Sequence, residues 1–183
     1  PGITLSDDPS SPLWLGFAEK APEGQPLFTS TWIYALAAPF PTLTDNVNLN
    51  DLRLFWGGHR HGLFENITKL YVPENVHNIL EIHWFPSASS TVEAYQEIPD
   101  IEHLWEENAW AIVPFEKLNP RLKVISIGSL SPLHHSFEAT YYPLAFTFQL
   151  IQKQDSVETI SGELIKALTG AIQATNRDSE KMT

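Results

Sequence analysis

Two apolar runs that each stop at proline constrain this chain more than any other feature: "WIYALAAPFP" at 32–41 and "AWAIVPF" at 109–115. A strand wetted on one face alternates polar and apolar residues, and these runs have almost no polar face. Both read as strands sheathed on two sides, in the manner of central parallel strands, and a sheet covered on both faces needs helices to cover it. Proline then removes a backbone donor and releases the chain abruptly.

Between these runs the period changes. In "NLNDLRLFWGG", Asn48 or Asn50 can cap a helix with Leu49, Leu52, Phe55 and Trp56 on one side and Gly57-Gly58 as a stop. Pro73 opens a second helix with Val76, Ile79, Leu80 and His83 along one stripe. Pro99-Asp100 opens a third, with Ile101, Leu104 and Trp105 facing inward. "LWLGF", "KLYV", "STVEAYQEI" and "KVISIG" read as further strands, and Pro143 keeps the start of "TYYPLAFTFQLIQK" at an edge or crossing. "DSVETISGELIKALTGAIQ" has capping-box spacing at Asp155 and Glu158 and a stripe of Val157, Ile160, Leu164, Leu168 and Ile172. Alternating strands and helices predict an α/β fold with some parallel pairing.

Composition narrows the function. Asp and Glu outnumber Lys and Arg 22 to 11, for a net charge of −11, which repels nucleic acid and anionic membrane surfaces. With 0 cysteines, disulfides, thiolate catalysis and cysteine-based zinc sites are excluded. No apolar run approaches the ~20 residues of a membrane span. "PGITLSDDPSSPLW" lacks the basic start and apolar core of a signal peptide, so either secretion information has been removed or the chain is a piece of a longer one; "ATNRDSEKMT" reads as a polar linker, which is expected of a cut at a domain edge.

The motifs that could carry chemistry are few. His59 and His61 flank Arg60 in a glycine-bounded loop, and two histidines two apart on extended chain share a side, so they are the candidate metal pair. No third ligand stands at metal spacing, and the plain reading is a solvated loop. His134-His135 diverge if extended; His83 on an apolar stripe reads as a core residue; and Glu106-Glu107 reads as a solvated face. "GSLSPL" lacks the GxSxG elbow, and no GxGxxG, Walker, HExxH or EF-hand pattern occurs. "NIT" at 66–68 fits the glycosylation pattern. Trp32, Trp105 and Trp110 read as core; Trp14, Trp56 and Trp84 lie near element ends, where core is still the simpler reading.

The order of elements resembles the phosphate-type, type II periplasmic solute-binding fold, in which a run of the kind L…LR.IF.G follows the first crossover strand, as "NLNDLRLFWGG" follows "WIYALAAPFP". "WAIVPFEKLNPRLKVISIGSLSPL" and the closing "NRDSEKMT" resemble the solute-binding-like N-terminal region of bacterial capsule (poly-gamma-glutamate) synthesis proteins, just ahead of a metallophosphatase-like domain. The resemblance implies a mixed sheet with helices on both faces, in which "AWAIVPF" carries the chain between lobes. It also implies a partial hinge-side lobe from 1–46 and 109–174, a second lobe from 47–108, and a linker at 175–183. The family's further strand–helix units have no counterpart here, so one lobe is incomplete, and any catalytic domain lies outside the chain.

These residues and likenesses point to a non-catalytic, extracytoplasmic, bacterial ligand-binding or sensing domain without a cofactor. Its ligand would be a small molecule or an envelope polymer. By position, the candidate ligand residues are Thr29, Ser30 and Thr31 before the first crossover strand, Ser129 and Ser131 after the later strands, and Arg60 as a source of charge. The alternative is a scaffold domain that has lost its ligand and positions a downstream enzyme. A hydrolase using His59, His61 and a carboxylate ranks last. Open sheet edges would allow pairing into a homodimer.

Overall fold

The computed structural model describes residues 13–153 apart from position 41. The predicted helix at 155–173 and the linker at 175–183 lie outside the described residues. The chain forms two compact units, with described residues 13–32 and 146–153 in the first and 33–145, apart from position 41, in the second.

In the first unit, β1 (Leu13–Phe17) pairs antiparallel with β8 (Ala145–Lys153), Leu13 opposite Gln152 and Phe17 opposite Phe148. The leading part of β2 (Gly24–Pro39) lies on the other side of β8. Aromatic contacts hold this layer. Phe17 meets Phe146 and Phe148 edge-on at 5.9 and 5.1 Å between centroids, and Trp32 stacks on Phe148 at 4.6 Å. The described residues of this unit contain no α-helix.

The second unit is a mixed sheet in the order β3–β7–β2–β6–β4–β5. Its strands are β3 (Asn46–Val47), β4 (Leu70–Pro73), β5 (Val92–Tyr95), β6 (Trp110–Pro114), β7 (Leu122–Ile127) and the trailing half of β2. β6, β4 and β5 are mutually parallel, as are β3 and β7. β2 runs against both neighbours, Leu36 lying opposite Ile112 of β6 and Ile125 of β7. The apolar runs around Ala37 and Ile112 are therefore side by side, and they pair antiparallel rather than parallel. Their sequence reports cover on both faces, which is independent of strand direction.

Three helices provide that cover: α1 (Leu49–Trp56), α2 (Glu74–His83) and α3 (Ile101–Glu106). On one face Ala35, Ala37, Tyr71, Ala111 and Val113 cluster with Leu104 of α3. Alternation sends Leu36, Ile112 and Trp110 to the other face. There Phe64 bridges Trp110 and Phe55 of α1, with centroids 5.3 and 4.9 Å away. Trp56 of α1 and His77 of α2 touch at 5.3 Å, so these two helices share that face.

The capping signals function as read. The Asn48 side chain accepts from the Asn50 N–H at 2.8 Å, and Gly58 after α1 has φ of +92°, where glycine is unstrained. Three expectations need correction. Trp105 is 55% exposed because α3 is only six residues long and buries itself through Leu104. His83 is exposed, since it is the last residue of α2 and the chain turns away there. The strand "AWAIVPF" lies wholly inside the second unit, where Pro114 leads into a single 3-10 turn at Phe115–Lys117; β2 and β8 are the described strands that run from one unit into the other.

Candidate functional site

Parallel strands place their carboxyl ends together, and in open α/β sheets those ends form the usual ligand face. Here β4 and β6 each finish on a proline, Pro73 and Pro114, and β5 finishes at Tyr95, which is paired with Pro73. Because β2 is antiparallel, its Tyr34 falls opposite Pro114 and joins the same rim. The register thus brings one residue from each of four strands to one edge.

The side chains near this edge make several separate polar contacts. The Asn75 amide, in the first turn of α2, hydrogen-bonds the Tyr34 hydroxyl, and Glu116 adds negative charge nearby. Burial, with help from Glu116, pushes the Tyr34 phenol up to about 12. Tyr95 donates its hydroxyl proton to the Ile112 carbonyl at 2.8 Å, and burial raises its pKa too. The Gln96 amide donates to Glu74 Oε2 at 3.1 Å. The first turn of α2 is already partly satisfied, since the Val76 N–H goes to Asn75 Oδ1 at 2.9 Å. Glu74 and Glu116 are the acidic side chains at this edge, and burial keeps the Tyr34 and Tyr95 phenols protonated. The arrangement can offer carboxylate and carbonyl acceptors to a ligand that donates hydrogen bonds or carries positive charge.

Of the six residues expected at a ligand site, Ser129 and Ser131 follow the carboxyl end of β7, which runs against β2 as β6 does and so ends at the same edge as Tyr34 and Pro114. Thr29, Ser30 and Thr31 sit within β2 in the first unit, with Thr29 and Thr31 exposed and Ser30 buried. Ser129, exposed with φ of +68°, follows Gly128 in a tight turn closed by Ile127 and Leu130, and its N–H donates to Asn46 Oδ1 at 2.7 Å. Ser131 is buried and accepts from the Leu133 N–H at 3.3 Å. Arg60 donates to the carbonyls of Thr68 and Ser90 at 2.9 and 3.1 Å. With Phe64 buried beneath it, these contacts pin the loop that was expected to be free. His59 is exposed, and His61 faces Asp51 at 4.0 Å; among the described residues no three His, Cys, Asp or Glu converge on a metal position.

A serine–histidine–carboxylate group does occur, at Ser87, His77 and Glu81. His77 Nε2 is 2.8 Å from Ser87 Oγ, and Ser87 Oγ lies 3.2 Å from Glu81 Oε1. Glu81 approaches Nε2 itself, at 3.8 Å, and not the other ring nitrogen. A triad needs its carboxylate on the far nitrogen to fix the tautomer. Here Glu81 instead accepts from the Ser87 N–H, which with His77 holds its carboxyl below the usual range and ties the turn after α2 to the helix.

Sequence reasoning missed Tyr34, Glu74, Asn75, Tyr95 and Glu116. The available signal was the pair of strand-ending prolines, each followed within two residues by a polar side chain.

No family model matches the chain, and no curated protein matches its sequence. Its fold matches solved structures. An ABC transporter substrate-binding protein with bound phosphate from Clostridium perfringens superposes with a TM-score of 0.62 at 11% identity, covering 85% of this chain and 71% of the other. An ABC-type phosphate transport receptor from Vibrio cholerae gives 0.63 at 10%, covering 92% and 78%. OxyR from Corynebacterium glutamicum, in a C206S mutant with hydrogen peroxide bound, gives 0.55 at 12%, covering 93% and 52%. At such identity the likeness speaks for architecture: the chain has a type II periplasmic-binding-protein-like α/β fold.

Proposed function

We propose that this chain is a non-catalytic ligand-binding or sensing module acting outside the cytoplasm, and that the second unit meets its ligand at the carboxyl rim of β4, β5 and β6. The observation that carries this reading is the convergence of Tyr34, Asn75, Tyr95, Glu74 and Glu116 on that rim. Two of the structural neighbours are named for phosphate, yet phosphate does not suit this rim. Oxyanions are held by free N–H groups at a helix start, and α2 is preceded by Pro73, which has no N–H, opens with the acidic Glu74, and has its Val76 N–H taken by Asn75 Oδ1. The ligand is accordingly an amine or a polyhydroxylated compound. The likeness of residues 110–133 to capsule-synthesis proteins supports a place ahead of a metallophosphatase-like domain in an envelope protein of bacteria.

A thermal-shift panel of inorganic phosphate, sulfate, diamines, amino acids and oligosaccharides tests the reading. Amines or sugars should raise Tm, and phosphate and sulfate should not. A response to no compound would favour a second reading, a scaffold domain. That reading draws on the way Tyr34, Tyr95 and Gln96 already satisfy one another's neighbours.

A further inference from the structure

The opposite end of the second unit carries a separate feature. Where β2 leaves the sheet and β7 enters, the Phe40 N–H bonds the Arg121 carbonyl at 3.0 Å. An open groove of about 320 Å³ there is lined by Phe40, Ile101, Glu102, Trp105, Glu106 and Arg121. Phe40 is 63% exposed and Trp105 55%. Two aromatic rings left in water on the walls of one groove, with a polar rim, mark a contact surface. The charges around them are unequal in freedom. Arg121 and Glu102 are paired at 2.7 Å, and that pairing holds the Glu102 carboxyl below its usual range. Glu106, one turn further along α3 and beside Trp105, makes no hydrogen bond or ion pair among the described residues.

We propose that this groove docks a basic segment of a partner protein, with a lysine or arginine side chain laid on the Trp105 ring and its charge at Glu106. An aromatic face attracts a cation, an adjacent carboxylate completes the pair, and the alkyl stem of such a side chain covers Phe40 and Ile101. The partner's sign follows from charge complementarity. The free charge in the groove is negative, and the chain as a whole carries −11, which draws basic partners in and repels phosphorylated or nucleic-acid ones. This inference stands apart from the rim ligand, because it uses other residues at the other end of the sheet.

Titration of the full chain with Ac-Lys-Leu-Lys-NH2, Ac-Arg-Leu-Arg-NH2, neutral Ac-Gln-Leu-Gln-NH2 and maltotriose, followed by calorimetry and by the Trp105 indole NMR signal, tests it. The basic peptides should bind and move the Trp105 signal, the neutral peptide and the sugar should not, and added salt should weaken binding. Trp105→Ala and Glu106→Gln should each reduce affinity about tenfold or more, the effect expected of a central contact residue. Glu138→Gln, an exposed carboxylate away from the groove, should change nothing. Equal loss in Glu138→Gln and Glu106→Gln would reduce the effect to bulk charge and overturn the proposal. Binding of maltotriose at Trp105 in place of the peptides, or no peptide binding, would also overturn it. Both substituted groove residues are exposed, and a Tm within error of the parent separates lost binding from lost fold.

Discussion

The two halves of β2 are one strand with two characters. From Gly24 to Trp32 it is mostly half-buried or exposed, and Ser30 alone is buried; from Tyr34 to Pro39 every residue is buried. The leading half lies beside β8 in a small antiparallel layer, whereas the trailing half is flanked by β6 and β7 and roofed by helices on both faces. What differs is the number of sides from which water is excluded, and that sets how much each side chain matters. The largest expected effect follows from this. Leu36 is fully buried between Ile112 and Ile125, so Leu36→Ala should cost about 3 kcal/mol in chemical denaturation, in the range for a core leucine. A loss below about 1 kcal/mol would mean the trailing half is no better packed than the leading one.

The rim of the trailing half gives a pH-dependent version of the comparison. The Tyr34 phenol is raised from 10 to about 12, chiefly by burial. Above pH 10 the unfolded chain gives up this proton while the folded chain keeps it, so the unfolded state binds fewer protons and stability falls as pH rises. The contribution is complete below pH 10 and is lost on the way to about 12, amounting to roughly 3 kcal/mol. Denaturation curves from pH 9 to 11.5 should therefore fall less steeply in Tyr34→Phe than in the parent. The slope should persist in part, because Tyr71, Tyr95 and Tyr142 are raised as well. Identical slopes in the two proteins would place Tyr34 in water.

How much of this was legible in the sequence differs between the halves for the same reason. "WIYALAAPFP" announces itself because cover on both faces demands apolar residues at every position. α1 is equally readable, since Asn48 and the Gly57-Gly58 pair are local signals that need no partner. The start of β2, Gly24, Gln25 and Pro26, belongs to the Pro/Gly-containing stretch "EKAPEGQP", which by itself reads as a loop; β8 supplies its pairing, and nothing within those residues reports that. Strand direction is hidden too, because a buried run looks alike in either sense. The rim site was illegible for a related reason. Tyr34 reads as core and Tyr95 as strand, and only the register that sets Tyr34 against Pro114 and Tyr95 against Pro73 brings them together.

The leading half has one position where the comparison should invert. A Cβ on Gly24 would lie 2.7 Å from Ile151 Cγ2 and closer still to the Gln152 carbonyl of β8, and backbone cannot yield as a side-chain tip can. Gly24→Ala should cost about 2 kcal/mol, comparable with overpacking in a core, although its surroundings are far wetter than those of Leu36. Sensitivity at this site comes from close approach of two chains and not from exclusion of water. A neutral Gly24→Ala would show that β8 stands further from β2.

The smallest effect is the most informative about function. Thr29 and Thr31 are exposed in the leading half, so replacing either with alanine should leave stability within about 0.5 kcal/mol, as for surface positions generally. That near-silence makes them clean probes. If their hydroxyls take part in holding a ligand, Thr29→Ala and Thr31→Ala should leave the Tm of the free protein unchanged while shrinking the shift produced by an amine or sugar that the parent binds. If the ligand-induced shift also stays the same, recognition belongs to the carboxyl rim of β4, β5 and β6, and the hydroxyls of the leading half serve only to wet an edge.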